Sequence, residues 1–235
     1  MRTTRATVRA MELVLVRHAQ PEWARESISQ VDPGLTDLGL RQADRAARRL
    51  TGESFDHVLV STARRAQQTA RPMRDHFEGT PFTDRFWLHE IQLPGSWADT
   101  PAEEVGRVLL EARDRPREEW WDGLPGGESF RDFHERVTTG LMQELAEYGV
   151  RRKPDGLWEV DDDDLRLLMV AHAGTNSLVL GALLGLEPEP WEWERFASNH
   201  ASITLLRTAA IAGGHIFGLQ SFSDVEHLRP DLVTA

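Results

Sequence analysis

Cysteine is absent from the 235 residues. Disulfides, thiolate metal sites and a cysteine nucleophile are thereby excluded. No apolar run is long enough to span a bilayer, so no membrane partner is expected. Positive charge is also in short supply. Against 38 Asp and Glu stand 27 Lys and Arg, a formal net charge of −11. The chain as a whole has no electrostatic reason to bind nucleic acid. An anionic ligand would need a local basic pocket set against that background. The first ten residues, MRTTRATVRA, carry three Arg and no acid. They lack the apolar core of a secretory signal. Residues 1–11 are expected to form a flexible extension, with Met11 as an alternative start. Residues 12–235 are expected to form a single domain in the cytoplasm, and the 40% hydrophobic content suffices for its core.

What is present alternates between short apolar runs and helical patterns. Leu13 to Val16 reads as a buried strand that stops at Arg17-His18-Ala19-Gln20-Pro21. Thr36 can cap a helix running to about Leu50. Phe55 to Val60 reads as a second strand, followed by a helix opening at Ser61–Thr69. Phe82 to Leu88 reads as a third strand, ending at His89-Glu90. Thr100-Pro101-Ala102-Glu103 has the form of a capping box with Pro at the first helical position. Ser129 can cap a helix carrying Phe130, Phe133, Val137, Leu141 and Leu145. Residues 149–164 read as a polar excursion, and its Asp161–Asp164 run as a solvated loop rather than a metal site. Leu165 to Ala171 is a fourth strand, stopping at His172, and an apolar helix follows from Gly174 to Leu186. Ala201–Arg207 and Ile216–Phe222 complete the sheet. The order predicts an α/β protein, a three-layer α/β/α sandwich with a mostly parallel central sheet and a helical insertion over about 92–164.

Three strands end in Arg17-His18, Arg64-Arg65 and His172. Ligands of open α/β sheets sit beyond such carboxyl ends, and helix starts there can turn amides toward an anion. Arginine suits phosphate because its planar fork bonds two oxygens at once. A neutral imidazole held in one tautomer can attack phosphorus, and neighbouring cations keep it unprotonated. His18 is therefore the candidate nucleophile. His172 is the candidate stabiliser of phosphoryl charge. Glu90, at the end of its own strand, is the candidate acid for the leaving oxygen.

These segments resemble the histidine phosphatase superfamily, which includes the cofactor-dependent phosphoglycerate mutases. Leu15–Pro21 is similar to the family's signature, Ser61–Thr69 to its second Arg element, Leu88–Ile91 to its acid element and Val170–Thr175 to its second His element. Asn199–Leu205 resembles the usual late strand. The resemblance spans residues 12–207 in the expected order. It implies that His18 becomes phosphohistidine, that Arg17, Arg65 and His172 bind the phosphoryl group, and that Glu90 moves the protons. No metal and no organic cofactor is implied. Gln20, Glu128, Ser129 and Ala173 are the substrate-binding positions it suggests, and a plain helix cap is the other reading of Ser129. The chain departs from the pattern at Ala19 and Ala173, where Gly is common. Gln20 stands in place of an acid, and Ala24 in place of an Asn. The stretch after Glu90, Ile-Gln-Leu-Pro-Gly-Ser-Trp, lacks the basic cluster of the mutases, and Pro125–Phe130 resembles the phosphatase branches. The expectation is hydrolysis of a phosphorylated small molecule. Mutase activity and a non-catalytic phosphate-binding role are the alternatives. Trp120, Trp121, Trp191 and Trp193 line a leaving-group site or pack structurally. If they form an exposed face, a homodimer follows.

Overall fold

The computed structural model describes residues 9–235. The start of the expected extension, residues 1–8, lies outside the described residues. Its last residue, Met11, is buried in the core, and its backbone N–H donates to Thr208 Oγ1 (3.0 Å).

Strand β1 (Glu12–Arg17) leads through a small hairpin of β2 (Ala24–Arg25) and β3 (Ile28–Ser29) to helix α1 (Asp37–Arg49). Then come β4 (His57–Ser61), α2 (Arg64–Arg74) and β5 (Phe82–Arg85). Helices α3 (Ala102–Arg113), α4 (Arg117–Trp120) and α5 (Phe130–Glu147) follow. A β6 (Val150–Arg152) and β7 (Trp158–Val160) hairpin precedes β8 (Arg166–Ala171) and α6 (Ala173–Leu184). The chain finishes with α7 (Glu192–Arg195), β9 (Ile203–Ile211) and β10 (Gly214–Asp224). Eight strands form one sheet in the order β5-β4-β8-β1-β9-β10-β7-β6. It is parallel from β5 to β1, the part that carries the site, and antiparallel beyond.

The three layers follow from strand periodicity. Successive side chains of a strand point to opposite faces. Leu13, Leu15, Leu167 and Met169 enter one core with Phe130, Phe133, Leu141 and Leu178 from α5 and α6. Val14, Val16, Leu168 and Val170 enter the other with Ala43, Ala46, Ala66 and Ala70 from α1 and α2. Strands covered on both faces read as continuous apolar runs.

Four local expectations are corrected. The strand expected over 82–88 stops at Arg85, and Phe86–Leu88 is a 3₁₀ turn that buries Leu88. The capping box at Thr100 does not form. Pro101 takes the cap position with no side chain to offer, and the Thr100 hydroxyl donates to the Ser96 carbonyl instead (3.0 Å). The 92–164 insertion is helical only through α5. Its last part is the β6–β7 hairpin, held to the main sheet by Trp158, whose ring meets Phe217 edge-on at 5.1 Å. Finally, among the described residues the four tryptophans expected to share a face do not form an exposed one. Trp120, Trp121, Trp191 and Trp193 are all partly buried, Trp120 against Trp191 and the other two against Phe130. That removes the observation on which a homodimer was expected.

Candidate active site

The sheet register builds the site. Arg17 lies opposite Ala171 in the parallel β1–β8 pair, and the His18 N–H donates to the Ala171 carbonyl (2.8 Å). The next residues on each strand, His18 and His172, therefore emerge side by side, with ring centroids 5.0 Å apart. Strand β4 ends beside them at Ser61, whose Oγ lies 2.8 Å from His172 Nε2. Arg65 sits in the first turn of α2.

His18 is 3% exposed, and its Nδ1 is 2.8 Å from the Ala19 carbonyl oxygen. A carbonyl can only accept, so Nδ1 carries the proton and Nε2 keeps its lone pair. Burial, then Arg65 and Arg17, push the His18 pKa well below its ordinary value. The neutral form is thus favoured by both desolvation and charge. The same causes, in the same order of importance up to Arg65, lower His172 well below the usual range. Its Nδ1 is buried and has no protein partner among the described residues.

Arg65 is 3% exposed, and its Nε and Nη1 lack a protein hydrogen bond among the described residues. Asp32 stands 3.6 Å from Nη1, an ion-pair distance too long for a good hydrogen bond. The exposed Trp23 ring lies under its guanidinium at 4.9 Å. Arg17 Nη1 donates to the Ser198 carbonyl, and Nη2 is 3.2 Å from His200 Nε2. Burial lowers the pKa of both arginines, and Glu90 raises it in both. Glu90 is therefore the carboxylate that faces the cationic pair. It accepts from Gly174 N–H (2.9 Å) through Oε2 and from Ile91 N–H (3.1 Å) through Oε1. These bonds explain Gly174, because a Cβ there would overlap Glu90 Oε1 and come within 3.1 Å of Cδ.

Arg17, Arg65, Glu90 and Ala173 line one cavity of about 1030 Å³, together with Glu128. Glu128 is held by a bidentate pair with Arg136 (2.7 and 2.8 Å), so its charge is already matched. Two expected substrate-binding positions are not on the wall. Gln20 turns its amide oxygen to the Thr36 hydroxyl (2.8 Å), and the Ser129 hydroxyl caps α5 by accepting from Asp132 N–H (3.0 Å). Both are drawn off by helix starts that need a partner. The expected helix-start amides are partly used too. Arg64 N–H donates to Asp32 (3.0 Å) and Gly174 N–H to Glu90.

Sequence reasoning missed His200. Its Nε2 must accept from Arg17, so its Nδ1–H donates to Thr234 Oγ1 (2.9 Å). Burial, and secondarily Arg17, push its pKa down to about 3. Thr234 also accepts from Gln42 Nε2 (2.9 Å), and Gln42 Oε1 accepts from Gln20 N–H (2.8 Å). The C-terminal segment thereby braces Arg17 and the loop after His18 together. The only sequence signal was a histidine two residues past Ser198, and it had no visible partner.

A buried, neutral imidazole beside one buried and one partly buried guanidinium, with a carboxylate at parallel strand ends, forms a candidate anion site in an α/β protein. The comparisons narrow the class. The histidine phosphatase superfamily (branch 1) matches residues 13–213, and the chain belongs to that family. It is 33% identical over 186 residues to the glucosyl-3-phosphoglycerate phosphatase of Mycolicibacterium vanbaalenii, covering 78% of this chain and 79% of the relative. It is 29% identical over 181 residues to the 2,3-bisphosphoglycerate-dependent phosphoglycerate mutase of Bartonella henselae, covering 70% and 82%. A solved mycobacterial glucosyl-3-phosphoglycerate phosphatase in complex with VO3 superposes with a TM-score of 0.67 at 26% identity, over 91% of this chain and 99% of that one. No helix among the described residues is long and apolar enough to cross a membrane.

Proposed function

We propose that this protein is a metal-independent phosphomonoesterase that works through a phosphohistidine on His18, with a small phosphorylated metabolite as substrate and the cytoplasm as its setting. The tautomer of His18 carries this reading. Nδ1–H is spent on the Ala19 carbonyl, so Nε2 is the nucleophilic nitrogen. Its lone pair forms the N–P bond as the ester P–O bond breaks. Arg17 and Arg65 hold the phosphoryl oxygens, and His172 donates from Nδ1 when Ser61 O–H donates to its Nε2. Glu90 in its acid form gives its proton to the leaving alkoxide. Its carboxylate then takes a proton from the water that attacks phosphorus, and the P–N bond breaks to release inorganic phosphate. His18 returns to its neutral state.

Ala173 is kept as a wall residue beside the phosphoryl group and Glu128 as a matched carboxylate on the wall. Gln20 and Ser129 are given no substrate role. The mutase reading rests on relatives such as the Bartonella enzyme. Against it, Arg136, near the acid element, is already engaged with Glu128. The test is a panel of phosphomonoesters assayed with and without EDTA, alongside mutase activity on 3-phosphoglycerate. Release of phosphate at rates insensitive to EDTA, with mutase turnover far below hydrolysis, is expected. Loss of activity on chelation, or mutase turnover exceeding hydrolysis, would overturn the reading.

A further inference from the structure

Strand β4 pairs with β8 as far as Val60 and Val170, which brings Ser61 alongside the end of β8, just before His172. Both side chains are fully buried, and Ser61 Oγ lies 2.8 Å from His172 Nε2. The hydroxyl oxygen has one further contact, the Ala63 N–H at 3.3 Å. An amide N–H can only donate, so it takes a lone pair of that oxygen. The Ser61 proton is then left with His172 Nε2 as its one acceptor among the described residues.

A neutral imidazole has two tautomers, and burial holds the His172 ring neutral. With the proton on Nε2, the ring donates to Ser61 Oγ. The buried Ser61 hydroxyl then has no acceptor, and the lone pair of the buried Nδ1 has no donor. With the proton on Nδ1, Ser61 O–H donates to Nε2, and Nδ1–H alone is unmatched. Buried polar groups without partners are costly, so the arrangement with one of them is favoured over the arrangement with two. Nδ1 is also the ring nitrogen left for a ligand, since Nε2 is spent on Ser61. An ionised phosphoryl group offers acceptors only. It is matched by Nδ1–H and opposed by an Nδ1 lone pair.

We propose that Ser61 is a positioning residue that fixes the tautomer of His172, so that Nδ1–H is presented to the phosphoryl oxygens before charge develops on them. A donor set in advance needs no reorganisation as the transition state forms. The tautomer of His18 is set by the Ala19 carbonyl; that of His172 is set by a side chain from a different strand. The inference rests on the phosphatase reading and assigns Ser61 a part in it.

Heteronuclear NMR of the imidazole nitrogens tests it, with the His172 signals identified by their loss in His172→Gln. The parent should show a protonated Nδ1 and a bare Nε2 at His172. Ser61→Ala removes the donor and leaves a smaller side chain, so the proton should redistribute toward Nε2. In that variant kcat on p-nitrophenyl phosphate should fall about a hundredfold, with KM within about threefold of the parent. Ser61→Thr keeps the hydroxyl and should keep the parental tautomer. A protonated Nε2 in the parent, or a Ser61→Ala protein that retains the parental tautomer, overturns the proposal while leaving hydrolysis intact. Failure of the phosphatase reading would look different, since the parent would then turn over no ester whatever its tautomer.

Discussion

Replacing Gly174 by alanine separates catalysis from folding. Gly174 lies in the first turn of α6 with ordinary helical geometry, since it is not among the glycines with positive φ. Alanine in a helix is better than glycine by about 0.5–1 kcal/mol, so the backbone welcomes the change. The new Cβ, however, overlaps Glu90 Oε1. The obstructing atom is the far end of a flexible side chain, so Glu90 moves and the helix stays. In moving, the carboxylate gives up the 2.9 Å bond from Gly174 N–H, a loss of about 1.5–3 kcal/mol in positioning for a charged group. General acid catalysis is worth about 10²–10⁴ in rate. The expected outcome is a melting temperature equal to or above that of the parent, with kcat reduced about a hundredfold on an alkyl phosphate. A much smaller loss is expected on p-nitrophenyl phosphate, whose leaving group needs little protonation. Thermal melts and steady-state rates on the two esters decide it. Full activity on the alkyl ester would refute the role of Glu90. A collapse in melting temperature would refute the local packing argument.

Other outcomes follow from the same structure. Glu90→Gln should keep the hydrogen bond from Gly174 yet lose the proton, so its defect should also grow with the basicity of the leaving group; a Brønsted plot with unchanged slope would argue against it. Gly140→Ala should destabilise by about 1–3 kcal/mol without touching the site, because the new Cβ would lie 2.8 Å from Trp87 Cδ2 in a buried helix contact; denaturant titration measures this, and an unchanged midpoint would contradict it. Acid should weaken the fold. His18, His172 and His200 have pKa values lowered by folding, so below about pH 6.5 the unfolded chain binds protons that the folded chain refuses, and stability falls as pH falls. For His200 the window runs from about 6.5 to about 3 and corresponds to an upper figure on the order of 5 kcal/mol. His200→Gln should flatten that dependence while still accepting from Arg17; an identical slope in unfolding experiments at several pH values would count against the assignment.

The fold and the candidate site were largely legible because both are written in local runs. Leu13–Val16 and Leu167–Ala171 are apolar without interruption, as strands buried on both faces must be. Each stops beside a residue of the candidate site, so His18, Arg65 and His172 could be placed at strand ends from the sequence alone. What escaped depended on partners distant in sequence. His200 gains meaning only when the register of β1 and β9 brings it against Arg17 and the C-terminal segment supplies Thr234. Thr100 had the spelling of a cap, but its carbonyl is engaged by Ser29 N–H (2.8 Å), which fixes the turn with Pro101 at the cap instead. The β6–β7 strands are three residues each, too short for a periodicity signal, and are made by pairing with β10. Gln20 and Ser129 had suitable chemistry, but nearby helix starts claimed their side chains.

The central claim is that phosphorus is transferred to His18 Nε2. Rapid acid-free quenching of the protein during turnover of a phosphorylated substrate, followed by peptide mass spectrometry, tests it directly. The account predicts an acid-labile, base-stable phosphoryl group on His18 that disappears in His18→Asn while that protein stays folded. A label on another residue, or steady hydrolysis by His18→Asn, would contradict it.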